Sequence, residues 1–165
     1  MTRLLLSILI LFIVFLIGVL IGRLIENRSN RKIAGSKSLM ETYDKLLKEY
    51  LEEDIDITDF FEEQKVAIYG LRGKYGHDFF CMIKRDLPKS VIYSDGNAVA
   101  MKMFKGRKVY DKQELNSSDF DFLIILPLNH FDEICNEFIE YGIEREKIYS
   151  VVDVLYYMKM RNADV

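Results

Sequence analysis

The chain opens on an unbroken apolar stretch and then changes its periodicity. Leu4 to Gly22 is a run of 19 residues whose one polar member is Ser7. A helix rises about 1.5 Å per residue, so such a run matches the roughly 30 Å hydrocarbon core of a bilayer. A helix also satisfies its own backbone there, which an isolated strand cannot do. The pattern predicts a transmembrane helix at 4–22. The competing reading, a cleavable signal peptide, requires positive charge in front, a shorter run and small residues at the cleavage site. Here Arg3 stands alone in front and Arg23-Leu-Ile-Glu-Asn-Arg28 follows.

After a polar stretch the apolar positions recur at helical steps. Leu39, Tyr43, Leu46 and Tyr50 form one face of a helix of about four turns, with Leu47 and Leu51 beside them. The stripe is too short for a coiled coil, so the expected partner is the chain's own domain. Acidic residues between Glu49 and Glu63 are interleaved with Ile55, Ile57, Phe60 and Phe61, which reads as a solvated face. Thr58 is the expected N-cap of a short helix carrying Phe60 and Phe61.

From there strands and helices alternate. Strands are expected at 65–69, 90–93, 108–110, 120–126 and 147–150. Phe120-Asp-Phe-Leu-Ile-Ile-Leu126 is the most apolar of them, as befits a strand covered on both faces. Helices are expected at 77–85, at 129–141 with Asn129 as cap and Gly142 as stop, and at 152–160. Such alternation predicts a parallel sheet with helices on both faces. The domain boundaries that follow are a membrane span at 4–22, a basic linker at 23–38, a helical lead-in at 39–64 and an α/β domain at 65–160.

Charge sharpens this picture. Arg23, Arg28, Arg31, Lys32 and Lys37 follow the apolar run against Glu26 alone, whereas 17 basic and 25 acidic residues lie from 38 onward. An acidic body argues against nucleic acid as a partner. A basic collar suits an anionic leaflet, so the lipid bilayer is the expected partner. The positive-inside rule then places the domain in the cytoplasm of a single-pass membrane protein. Gly18 and Gly22 match the small-xxx-small pattern of helix pairs in membranes, and would be the contact of a homodimer. Cys81 and Cys135 read as reduced, buried thiols, and with His77 and His130 they show no metal-ligand spacing.

The turn Gly70-Leu-Arg72-Gly73-Lys-Tyr-Gly76 follows the first expected strand. Glycines there permit positive φ and close approach of a pyrophosphate, and a helix N-terminus supplies free N–H groups. Asp95, at the end of the second strand, stands where a carboxylate can accept from a ribose hydroxyl. Arg72 and Lys74 are either phosphate partners or solvated loop charges. The basic loop Lys102, Lys105, Arg107, Lys108 and Lys112 has a ribose phosphate, a membrane surface or solvent as its options. His130, beside Asn129 after the strongest strand, is either a general base or a solvent-facing histidine. No tyrosine has a lysine four residues on, and Tyr156-Tyr-Met-Lys159 misses that spacing by one.

The stretch from about Tyr43 to Tyr157 resembles bacterial Rossmann-like domains related to nucleoside-diphosphate-sugar epimerases and dehydratases. The carrying residues are Lys45-Leu-Leu-Lys48, Ile57-Thr-Asp-Phe-Phe61, Lys65-Val-Ala-Ile-Tyr-Gly70, Ile92-Tyr-Ser-Asp95, Phe122-Leu-Ile-Ile-Leu126, the stretch from Asn129 to Tyr141, and Ser150-Val-Val-Asp-Val-Leu155. The resemblance implies a small Rossmann-like fold and a setting among proteins of surface-polysaccharide assembly. The turn here is one residue longer than the usual Gly-x-Gly-x-x-Gly.

The fold expected is therefore α/β, a small Rossmann-like parallel sheet with helices on both faces, preceded by a single transmembrane helix. The expected function is a tethered, non-catalytic module that binds NAD(P) or a nucleotide sugar, an accessory to envelope-polysaccharide proteins. Its expected ligand contacts are Gly70, Arg72, Gly73, Gly76, Asp95 and Asn129. The alternatives are a small NAD(P)-dependent oxidoreductase completed by a partner, and a ligand-free scaffold docking through Leu39 to Leu51.

Overall fold

The computed structural model describes residues 37–62, 64–115 and 119–163, with the side chains of 162 and 163 excepted. The chain divides into two units, Met1–Lys37 and Ser38–Val165, and the elements below build the second.

Helix α1 covers 37–52. A 3-10 turn, Thr58–Phe61, leads into β1 (Val66–Tyr69), which feeds α2 (Gly73–Cys81) and β2 (Ile92–Ser94). A hairpin of β3 (Met103–Phe104) and β4 (Arg107–Tyr110) follows, then a 3-10 turn at Lys112–Glu114 and β5 (Phe122–Ile125). The chain closes with α3 (Phe131–Glu140), β6 (Ile148–Ser150) and α4 (Val151–Ala163).

The six strands lie in the order β3-β4-β2-β1-β5-β6. β1 pairs parallel with β2 on one side and with β5 on the other. Period-two alternation splits the sheet's side chains between two layers. Val66, Ile68 and Ile124 join Tyr43, Leu46 and Tyr50 of α1, Phe79 of α2 and Leu155 of α4 in one core. Ala67, Tyr69, Leu123 and Ile125 join Phe131, Ile134, Cys135 and Phe138 of α3 in the other. The stripe Tyr43, Leu46, Tyr50 thus packs on the chain's own domain.

The expected fold class needs correcting on two counts. The sheet is mixed, because β3 runs antiparallel to β4. Its two-residue tip, Lys105 at φ 46° and Gly106 at φ 77°, has the positive φ values of a tight hairpin turn. The second correction concerns the membrane: among the described residues no helix is long and apolar enough to cross one. The expected span 4–22, its Gly18 and Gly22, and the linker as far as residue 36 lie outside the described residues.

Smaller differences have local causes. α2 starts at Gly73 and stops at Cys81, four residues earlier at each end than expected. Beyond its end, the amides of Lys84 and Arg85 are taken by Asp56 and by the Thr58 hydroxyl. Cys81 accordingly sits on the outer face and is exposed, while Cys135 is buried. Thr58 caps nothing; it donates both its amide and its hydroxyl to Asp56. Asn129 lies inside a 3-10 turn, Leu128–His130, and α3 begins after it without a side-chain cap.

Candidate functional site

β1 lies between β2 and β5, so the strand order reverses across it, and the crevice outside the strand C-termini at such a switch is where open α/β sheets bind ligands. The turn after β1 forms its floor. Gly70 adopts φ 84°, and a Cβ there would stand 2.4 Å from Cδ of Pro127. Glycine is required at this point so that the chain leaving β1 can pass the chain leaving β5. Gly76 is equally constrained, since a Cβ would meet the Leu71 carbonyl oxygen at 2.4 Å and lift α2 off the turn. Gly73 differs: at φ 80° its missing Cβ has nothing within 4 Å. Two of the three glycines serve packing, and one faces open space.

Asp95 ties this turn to β2. It is 8% exposed. Its Oδ2 accepts the Leu71 amide at 3.0 Å and its Oδ1 the Asn97 amide at 2.9 Å. Each carboxylate oxygen has a second lone pair left for a ligand hydroxyl. Asp95 also donates its own amide to the Tyr110 carbonyl, which locks β2 to β4.

An open cavity of about 490 Å³ lies over these groups. Gly70, Arg72 and Asp95 line it, as do Gly96 and Asn97. Its other walls are Tyr69, Lys112 and Pro127, and the α3 side supplies His130, Glu133 and Glu137. Of the residues expected here, Asn129 and Gly76 are not among the lining, and Gly73 borders open space without lining the cavity. Arg72 reaches Sδ of Met101 at 3.3 Å. Lys74 is drawn the other way, onto Asp44 of α1 at 2.7 Å. His130 is exposed and contacts Glu133, with Nδ1 3.3 Å from the carboxylate.

The fold assembles a tyrosine–lysine pair that no spacing along the sequence encodes. Lys112 projects from its 3-10 turn onto Glu137 of α3, and its Nζ stands 5.2 Å from the centre of the Tyr69 ring. Burial pushes the Tyr69 hydroxyl above its ordinary range, and the neighbouring ammonium offsets this only in part. Burial acts to lower the Lys112 pKa, but the hydrogen bonds to Glu137 and Tyr69 outweigh it and the net change is upward. Tyrosine is thus kept neutral and lysine charged. The spacing of His130, just ahead of α3, with Glu133 and Glu137 on it was the one signal in the sequence that these side chains share a face.

A second hollow, about 280 Å³ and mostly apolar, is lined by Phe60, Phe122, Tyr149 and Tyr157. Among the described residues no cluster of three His, Cys, Asp or Glu side chains is placed to hold a metal ion.

Residues 62–149 match the family model described as C2185-like, N-terminal. The match covers more than half of the chain and runs from ahead of β1 into β6, so every residue of the crevice falls inside it. No curated protein matches the chain.

Proposed function

The chain belongs to the C2185-like N-terminal family, and for this member we propose that the crevice binds a nucleotide or nucleotide sugar without itself catalysing a reaction. The observation that carries the reading is Asp95, a nearly buried carboxylate fixed by two backbone amides at the rim of an open cavity. An acidic group so placed at the end of β2 accepts hydrogen bonds from vicinal hydroxyls, as a ribose or a sugar offers them. Arg72, on the turn side of the same lining, adds positive charge for a diphosphate.

The non-catalytic part of the reading rests on protonation states. A tyrosine that acts as general base needs a lowered pKa, whereas burial raises that of Tyr69. Lys112, engaged with Glu137, offsets that rise only in part.

Thermal unfolding of the full chain with NAD+, UDP-glucose and ADP tests the proposal. A ligand at about 100 times its Kd stabilises by about 2.7 kcal/mol, enough to raise Tm by several degrees in a domain of this size. The expected result is such a rise with at least one of the three, absent in Asp95→Ala. No shift with any of them overturns the reading.

A further inference from the structure

We infer that Lys112 is the anion receptor of the crevice and that Glu137 is its resting counter-ion, displaced when a ligand's phosphoryl group enters. This rests on the nucleotide reading above and names the group that takes the phosphate.

Among the basic residues of the β3–β4 region, Lys112 is set apart by where the fold sends it. Lys105 lies over the Phe80 ring, Arg107 donates to the carbonyls of Leu87 and Pro88, and Lys108 pairs with Glu114. Lys112 alone of these four lines the crevice. Its position is fixed from below. Asp111 and Glu114 close a capping box on the turn that carries it. The Tyr69 ring underlies the ammonium, and Gly96 leaves the space both need: a Cβ there would stand 2.9 Å from the Tyr69 hydroxyl and 3.9 Å from Cε of Lys112.

Glu137 is the freer partner. Its side chain is 38% exposed against 20% for Lys112. The carboxylate therefore regains water by rotating away, whereas the ammonium stays in the crevice and needs a new anion. Exchanging carboxylate for phosphate keeps Lys112 compensated throughout. Uncompensated, it would bear the desolvation cost of a partly buried charge. Glu133, one turn earlier on α3, also lines the cavity and adds like charge beside Glu137. That repulsion loosens the carboxylate but acts on an incoming phosphoryl group as well, so the exchange rests on Lys112.

The two partners of the ion pair separate this reading from a structural one. A pair that merely ties α3 to the 3-10 turn is broken equally by Glu137→Gln and by Lys112→Met, so both would affect binding alike. An anion receptor responds with opposite signs. Calorimetric titration of the full chain with inorganic pyrophosphate, ADP and adenosine reads the difference. In Glu137→Gln, pyrophosphate and ADP are expected to bind about tenfold tighter, the scale of one charge-assisted contact. In Lys112→Met they bind about tenfold more weakly, Lys112→Arg keeps most of the affinity, and adenosine is indifferent to all three. Circular dichroism confirms that each variant folds.

Changes of the same sign in Glu137→Gln and Lys112→Met overturn the inference, as does ADP binding that ignores both. In that last case the nucleotide reading still stands. Pyrophosphate binding with opposite-sign responses, but no binding of ADP and no thermal shift with NAD+ or UDP-glucose, would keep the receptor and end the nucleotide reading. No binding of either anion by wild type or Glu137→Gln ends the inference, and the nucleotide reading falls with it when NAD+ and UDP-glucose also give no thermal shift.

Discussion

The hydroxyl of Tyr50 donates to the backbone carbonyl of Leu155 at 2.7 Å, across 105 residues of chain. The contact fastens α1 to α4 inside the larger core, with Glu49 and Lys159 paired outside it. Tyr50→Phe should cost about 1 kcal/mol, the net worth of one such bond. A lower urea midpoint at unchanged slope is the expected measurement.

The same residue gives a pH dependence. Burial, reinforced by Glu49 and Glu53, pushes Tyr50 up to about 12 from an ordinary 10.0. Tyr69 and Tyr93 are raised by burial as well. A raised pKa means that the unfolded chain loses these protons first. Their stabilisation is complete below pH 10 and is lost as pH climbs from 10 towards the folded-state values. Urea midpoints should hold up to about pH 9 and fall steeply beyond about pH 10, with a late phase of tyrosinate absorbance that coincides with unfolding.

Asp56 is a second anchor. Its carboxylate receives the Thr58 amide at 2.9 Å, the Lys84 amide at 3.2 Å and Nε of Arg85 at 2.8 Å. Burial opposes its ionisation, but the bonds from Thr58 and Arg85 prevail and hold it well below the usual carboxylate range. A depressed pKa contributes stability above an ordinary 3.8 that is lost as pH falls below it. Asp56→Ala should cost about 2 kcal/mol by stranding two amides. It should also flatten the fall of the urea midpoint in acid. An acid limb as steep as that of wild type would assign the effect to other carboxylates.

The glycines of the first turn should separate by cost. Gly70→Ala adds a collision with Pro127 to the strain of positive φ, and about 3 kcal/mol is expected. Gly73→Ala carries the strain alone, about 1 to 2 kcal/mol, because nothing lies within 4 Å of its Cβ position. Equal losses in chemical unfolding would show that Pro127 yields to the added methyl.

Much of this domain was legible in the chain. The apolar runs at 65–69 and 120–126 announced strands, the second of them covered on both faces, and the Tyr43, Leu46, Tyr50 stripe announced a helix docked on its own core. The position of Asp95 at the end of β2 was readable as well, from the short run before it. The β3 hairpin was not, because two residues are too few to show alternation. Cys81 misled because it stands inside the apolar run Phe79-Phe80-Cys81-Met82-Ile83, yet faces outward at the last turn of α2. The Tyr69, Lys112, Glu137 group escaped because its members come from a strand end, a connecting turn and a helix. No local spacing encodes a meeting of three elements.

The margins of the sheet have a consequence of their own. At β6, Arg145 donates to the Ile148 carbonyl at 2.8 Å, and the Ser150 amide goes to Asp153 at 2.8 Å, which also opens α4. At the far side the edge strand is β3, only two residues long. A stray strand arriving at β6 would have to displace the contacts already made by the Ile148 carbonyl and the Ser150 amide. The molecule thus carries its own guard against the edge-to-edge polymerisation to which exposed parallel sheets are prone.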